Sequence, residues 1–283
     1  MIERSRLDVV TVTGAQAESY LQGQMSQNVV TMSVGDCRRS LLLQPQGHLV
    51  AWLRVVRTGP EAFALIADPG AGATILARLE RFLLGTKATL ALESVDVVAV
   101  RASENEGLPS GNAIEDGRLS VVPLVWPDLH GVDLFGAAAE PLAGEETGQG
   151  LLEGLRIGAG IPLYGADYDD KTVPAALGVV DLSTDFTKGC YTGQELVARM
   201  DSRGNNSPRQ LRVVSAPGSR PAVGTEGLLD GEAVAVLTSV TAVGEGWVAL
   251  ASVKRSALDA ETVLVEGAEA VLSRPLSQSG AVG

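Results

Sequence analysis

The chain has 283 residues, a net charge of −12 and 45% hydrophobic residues. That length exceeds a usual single core and suits two or three small domains. The acidic balance excludes nonspecific nucleic-acid binding over the whole surface, because phosphates would be repelled. Aromatic residues make up 4%, so cores must be built mostly from Val, Leu and Ala. No apolar run reaches the ~20 residues needed to span a bilayer. The opening Met1-Ile2-Glu3-Arg4-Ser5-Arg6 lacks a secretory apolar region. Two cysteines make no disulfide framework. The expectation is a cytoplasmic protein with no membrane or direct nucleic-acid partner.

Residues 7–13 alternate and stop at Gly14, which predicts a strand. Residues 15–22 predict a short helix. Residues 39–43 and 49–56 flank Gln44-Pro45-Gln46-Gly47, whose Pro and Gly supply turn geometry for a β-hairpin. Residues 63–67 add a strand. Ile75, Leu76, Leu79, Phe82 and Leu83 have helical spacing over 73–84. Residues 89–92 and 95–101 are strand-like. Strands and helices mix without regular βα alternation, so α+β layers with largely antiparallel sheets are expected. Residues 137–150 are rich in Ala, Gly and Glu and read as a surface segment or short helix; 151–157 read as a helix. Gly204-Asn205-Asn206-Ser207-Pro208 is a break. Apolar runs at 211–214, 233–237, 247–253 and 262–265 predict a small all-β domain of barrel type. Residues 277–283 read as a loose tail.

The most informative stretch is Lys188-Gly189-Cys190-Tyr191-Thr192-Gly193-Gln194-Glu195. Gly189 and Gly193 mark a turn, and 194–200 has helix-forming composition with Leu196, Val197 and Met200 on one face. Lys188 and a helix N-terminus both favour thiolate over thiol, which makes Cys190 a candidate reactive cysteine. A small buried residue in a tight turn fits the same spacing. From Lys188 to Arg212, five basic residues (Lys188, Arg199, Arg203, Arg209, Arg212) stand against Glu195 and Asp201. Such a stretch is either a solvated surface or a receptor for an anionic ligand. Glu195 and Arg199, four apart, would face one side of a helix as an ion pair, or hold that helix against a ligand.

Other motifs carry less. Gly70-Ala71-Gly72 follows a strand and opens a helix, but the third glycine of a dinucleotide fingerprint is missing and no parallel βαβ pattern surrounds it. A turn before a helix is the better account. His48 and His130, with Cys37 and Cys190, offer no zinc-like spacing. Asp167, Asp169 and Asp170 lack the spaced oxygens and terminal Glu of a calcium loop, and read as a turn.

The run from Lys188 to Glu195 resembles the signature of the YgfZ family, folate-binding relatives of the glycine-cleavage T-protein (GcvT). Tyr20-Leu21-Gln22-Gly23-Gln24-Met25-Ser26-Gln27-Asn28-Val29 resembles that family's early helix-and-turn segment. Leu155-Arg156-Ile157-Gly158-Ala159-Gly160-Ile161-Pro162-Leu163-Tyr164-Gly165 is similar to a segment that T-proteins and YgfZ proteins share. The likeness covers roughly residues 7–212.

The resemblance implies an α+β fold of three domains in a ring. Residues 1–208 would form two interleaved domains that bind folate, and 209–283 a small β-barrel. It implies tetrahydrofolate, or a related folate, as cofactor. Asp133, in His130-Gly131-Val132-Asp133-Leu134, stands where T-proteins place a pterin-binding glutamate. Arg156 matches an arginine near the ligand, able to pair bidentately with a carboxylate. Tyr164, Tyr191, Gln194, Glu195 and Arg199 complete the cofactor-binding set, and Cys190 with Lys188 forms the reactive pair. One departure bears on catalysis. T-proteins carry paired aspartates in the central hairpin, where this chain has Val50 and Ala51, and neither can do a carboxylate's acid–base work. T-proteins in turn lack the Lys-Gly-Cys-Tyr run. The implied function is support of iron–sulfur enzymes, and through one of them tRNA modification, with iron–sulfur proteins or assembly factors as partners. The alternatives are a folate-dependent one-carbon (aminomethyl or methyl) transferase and a redox sensor that uses Cys190 without folate.

Overall fold

In chain order the residues form β1 (Ile2–Thr13), α1 (Ala17–Gln24), β2 (Cys37–Leu43), β3 (Leu49–Gly59), β4 (Ala62–Ala67), α2 (Gly72–Glu80) and β5 (Thr89–Ala102). Next come β6 (Ile114–Glu115), β7 (Arg118–Leu119), β8 (Val121–Pro123) and β9 (His130–Phe135), then α3 (Leu151–Gly158), α4 (Pro174–Leu177), α5 (Val180–Ser183) and α6 (Gln194–Asp201). The remainder is β10 (Arg209–Pro217), β11 (Glu226–Leu229), β12 (Glu232–Val243), β13 (Gly246–Lys254), β14 (Thr262–Val265) and β15 (Ala268–Ser273). This computed structural model describes every residue except 103, 105, 106, 128, 143–146, 148, 149, 203–206 and 276–283. Arg203, the 204–206 part of the expected break, the 277–283 tail and much of the 137–150 segment lie outside the described residues.

One antiparallel sheet of seven strands, in the order β2-β3-β4-β1-β5-β9-β8, dominates the first part of the chain. The predicted hairpin is β2 and β3, closed by Gln44 to His48 and paired from Cys37↔Val56 to Leu43↔Leu49. Alternation sorts the side chains of each strand onto two faces. Val10 and Val12 of β1, Leu53 and Val55 of β3, and Phe63 and Leu65 of β4 meet α1 and α2 through Leu21, Ile75 and Leu79. The opposite face is shared between an apolar cluster around Val9, Val56 and Ile66 and the cavity described below.

Three expectations change. The strand at 7–13 starts at Ile2, and the separate strands at 89–92 and 95–101 are one, because β1 and β5 pair continuously from Ile2↔Val100 to Thr13↔Thr89. The helix expected over 73–84 stops at Glu80: Leu84 is 99% exposed and Phe82 is exposed too, so little buried surface remains to extend it. Strands β8 and β9 carried no clear periodic signal, being short and broken by Gly131 and Asp133.

The strands after residue 208 close into a barrel, β10-β13-β12-β11-β14-β15, around Val214, Leu237, Ala249, Val253, Val263 and Leu272. Ile157 of α3 packs on Leu211, Val213 and Leu250 at the barrel's outer wall. The α+β architecture with antiparallel sheets and a C-terminal barrel is therefore the one the sequence predicts.

Candidate functional site: a charged cavity and a lysine clasp

A cavity of about 400 Å³ lies on the sheet face turned away from α1 and α2. Its floor is built by strand alternation: Glu3, Ser5 and Leu7 of β1, Trp52 and Arg54 of β3, Ala99 and Arg101 of β5, and Asp133 of β9. Its roof is α3, through Leu152, Glu153 and Arg156, and the turn carrying Ile161, Leu163 and Tyr164. The Tyr164 N–H donates to Asp68 Oδ2 at 3.0 Å, tying that roof to the end of β4.

Four arginines (Arg39, Arg54, Arg101, Arg156) and four carboxylates (Glu3, Asp68, Asp133, Glu153) line the cavity. Charges held in such a place must be paired or hydrogen-bonded, since desolvation costs several kcal/mol per ion. Asp133, 2% exposed, accepts from Arg54 Nη2 at 2.5 Å and from Arg101 Nη2 at 2.7 Å. Burial alone would push its carboxyl up; Arg101 and Arg54 outweigh that and hold it at about 2. Arg156 makes a bidentate pair with Glu153 (2.8 and 2.6 Å) and donates from Nη1 to Asp167 Oδ2 at 2.8 Å. Asp167 also accepts from Thr238 and Ser239 of β12, so it ties the cavity roof to the barrel. Burial pushes the Asp68 carboxyl above the ordinary range, against the Tyr164 N–H and the more distant charge of Arg39.

Of the residues singled out in the sequence, Asp133, Arg156 and Tyr164 thus come together. Both Asp133 oxygens already hold arginines, so this carboxylate orders the cavity's cations rather than standing free. Lys188, Cys190, Tyr191, Gln194, Glu195 and Arg199 do not line this cavity. They belong to a second construction, separated from it by a cluster of Trp52, Leu124, Leu129 and Ile161, against which Tyr191 packs.

The centre of that construction is Lys188. Its ammonium donates to Gln22 O and Met25 O at 2.7 Å and to Gln27 O at 3.0 Å. Helix α1 ends at Gln24 with no basic residue in its last turn. A helix end leaves carbonyls unpaired and partly negative, and Lys188 satisfies them from the far side of the sequence. The Thr192 N–H takes Gly23 O at 3.0 Å. Burial lowers the Lys188 ammonium to about 8, with Asp185 opposing. The hydrogen bonds of Lys188 go to the α1 end, and none joins it to the Cys190 thiol among the described residues. Cys190 is exposed and precedes α6, which starts at Gln194. Gln194 Oε1 accepts from the Tyr191 N–H at 3.1 Å. Glu195 and Arg199 form an i,i+4 ion pair at 2.6 Å, 85% and 53% exposed, of the modest surface kind. Of the expected face of α6, Val197 is buried and Leu196 half-buried.

Glycine makes the join between the motif and the hairpin possible. Gly193 has φ +82°, and a Cβ there would lie 2.6 Å from Gln44 O. Gly47 has φ +89°, and its Cβ would meet Leu196 at 2.4 Å. In the same hairpin Val50 and Ala51 are buried in the helix-side core. The Gly70-Ala71-Gly72 turn is also explained: the amides of Gly70 and Gly72 both donate to Asp8 Oδ2 at 2.9 Å, and β4 pairs antiparallel on both sides.

Sequence reasoning missed Arg39, Trp52, Arg54, Asp68 and Arg101. A signal existed for Arg54, a charge inside the apolar run 49–56, where a buried strand tolerates it only when paired.

The whole chain is built like a glycine-cleavage aminomethyltransferase. It matches the crystal structure of glycine cleavage system aminomethyltransferase T from Bartonella henselae with a TM-score of 0.69, over 96% of this chain and 86% of that one, at 19% identity. No protein-family model matches. In sequence, it is 30% identical over 235 residues to the tRNA-modifying protein YgfZ of Escherichia coli, covering 75% of this chain and 70% of that protein. It is 29% identical over 235 residues to the protein of the same name from Shigella boydii, with the same coverage. An uncharacterized Haemophilus influenzae protein matches at 27% over 208 residues, 72% of this chain and 70% of that protein. The chain belongs to the YgfZ family.

Proposed function

We propose that this protein binds a reduced folate in the cavity and, with Cys190 as its reactive thiol, supports iron–sulfur enzymes and through them tRNA modification. The observation that carries the folate reading is the lining of the cavity. At about 400 Å³ it falls within the usual small-molecule range of ~300–1,000 Å³. Trp52, Leu124, Leu129, Ile161 and Tyr164 offer apolar and aromatic surface, and polar groups of both signs converge among them. Glu3 Oε2 is buried with no partner among the described residues, and Asp68 Oδ1 accepts no hydrogen bond from them. Acceptors of this kind suit the N–H donors of a pterin edge.

A bound tetrahydrofolate would supply a reduced ring and nitrogens able to carry a one-carbon unit. The chain's own residues hold and orient it. Asp133 keeps Arg54 and Arg101 in place, and Glu153 and Asp167 do the same for Arg156. Tyr164 extends the wall and shares a hydrogen bond between its hydroxyl and Thr74 Oγ1 at 3.3 Å. Lys188 fixes the loop that presents Cys190 to solvent. Val50 and Ala51 argue against aminomethyl transfer, since buried apolar side chains relay no proton.

Calorimetry with tetrahydrofolate tests the first half: saturable binding supports the reading, and none overturns it. Alkylation with mass spectrometry tests the second. Cys190 should label well ahead of Cys37, because burial raises the Cys37 thiol despite Arg54 and Arg39 nearby. Faster labelling of Cys37 would remove the thiol role. In cells, Cys190→Ala should lower iron–sulfur enzyme activity while folate binding stays intact.

A further inference from the structure

Three of the four cavity arginines have carboxylate partners: Arg54 and Arg101 share Asp133, and Arg156 has Glu153 and Asp167. Arg39 differs. It is 7% exposed and lies with its Cζ 4.0 Å above the centre of the Trp52 ring. Its Nε donates to Val125 O at 3.2 Å and its Nη2 to Leu124 O at 2.8 Å, both neutral acceptors. Among the described residues it forms no ion pair, and no hydrogen bond involves its Nη1. Burial, and then the neighbouring charge of Arg54, lower it to about 9. Asp68 and Asp133 favour its charge only from a distance, since no ion pair joins either of them to it. A guanidinium taken out of water without a contacting carboxylate is costly, and it sits in the wall of an open cavity.

We propose that Arg39, stacked on Trp52, is the contact for a negatively charged or strongly polarised oxygen of the bound ligand, received at Nη1. This rests on the folate reading. Two oxygens of a folate have the required chemistry, the ring carbonyl and a carboxylate of the glutamyl tail. A planar guanidinium held flat on an indole suits either, and lysine would replace it only in part, because an ammonium keeps the charge but presents no planar fork.

The test is calorimetry on the full-length protein and on Arg39→Met and Arg39→Lys, with melting curves to verify folding. Tetrahydrofolate binding should weaken at least tenfold in Arg39→Met, and Arg39→Lys should recover part of the loss. A tail-less tetrahydropterin separates the sources. If its affinity falls as much, the ring oxygen is the partner; if it is unaffected, the tail carboxylate is. Wild-type affinity for both probes in a folded Arg39→Met overturns the proposal and leaves the folate reading standing. Should the wild type bind no tetrahydrofolate, the folate reading fails by itself. Inorganic phosphate, followed by tryptophan fluorescence, then tests Arg39 directly. Saturation in wild type and its loss in Arg39→Met support the contact, and equal responses overturn it.

Discussion

At Asp133 two opposing effects act on one carboxyl. Burial disfavours the charge, and Arg101 with Arg54 restore it strongly enough to hold the group at about 2, below the ordinary 3.8. A depressed carboxyl contributes stability above its unfolded value and loses it as pH falls toward the folded one. That contribution is about 2 kcal/mol, gone progressively between roughly pH 4 and pH 2. Asp133→Asn keeps the shape but leaves two buried guanidinium groups without a counter-charge, a change that typically costs ~3–5 kcal/mol. Urea midpoints should therefore drop at pH 7, and the variant's stability should fall less steeply below pH 4 than that of wild type. Parallel acid limbs in the two proteins would contradict this account. Arg54 and Asp133 are 79 residues apart. Each could be seen as a charge in a strand-like or family-like segment, but their meeting depends on β3 and β9 presenting them to the same cavity.

Among the elements, α1 shows how a motif can be legible and its role hidden. Its existence follows from local composition, and it is found within two residues of the expected place. Eight residues containing Gly23 make a marginal helix on their own. Its C-terminal carbonyls are satisfied by Lys188, 166 residues away from Gln22. The sequence places Lys188 two residues from Cys190, and the fold also gives it three carbonyls as hydrogen-bond partners. Lys188→Met should lower stability by about 2 kcal/mol, the scale of a hydrogen bond to a charged group. It should also speed amide exchange at Met25 and Thr192, whose N–H groups hold this junction. Unchanged melting and exchange would show that the clasp contributes nothing.

Over the whole molecule, one carboxylate joins the parts. Asp167 is fully buried, and accepts from Arg156, from the Leu163 N–H at 2.9 Å, and from Thr238 and Ser239 at 2.5 and 2.8 Å. We propose that residues 209–283 form a separate unit, docked through this carboxylate and the Ile157 contact. Asp167→Ala would leave Arg156 short of a partner and the barrel hydroxyls without their acceptor. Removing one member of such a buried pair costs about 3–5 kcal/mol. Hydrogen exchange in urea should then resolve separate opening of the barrel strands and of the seven-stranded sheet. A single transition at the wild-type midpoint would refute this linkage.

The sequence by itself determined what depends on neighbours along the chain. The hairpin around Gln44 to Gly47, α1, the short barrel strands and the α+β class follow from local turn chemistry and apolar periodicity. The eight-residue motif at Lys188 carries the family. Tertiary structure alone decided the site, because its polar groups meet across long separations in the chain. It split the expected residues into a cavity set, Asp133, Arg156 and Tyr164, and a clasp set around Lys188 and Cys190. It also left Arg39 the cavity arginine without a carboxylate partner among the described residues. No local pattern could tell it from Arg54 or Arg101, because their difference lies in which strand each one faces and which carboxylate that strand brings.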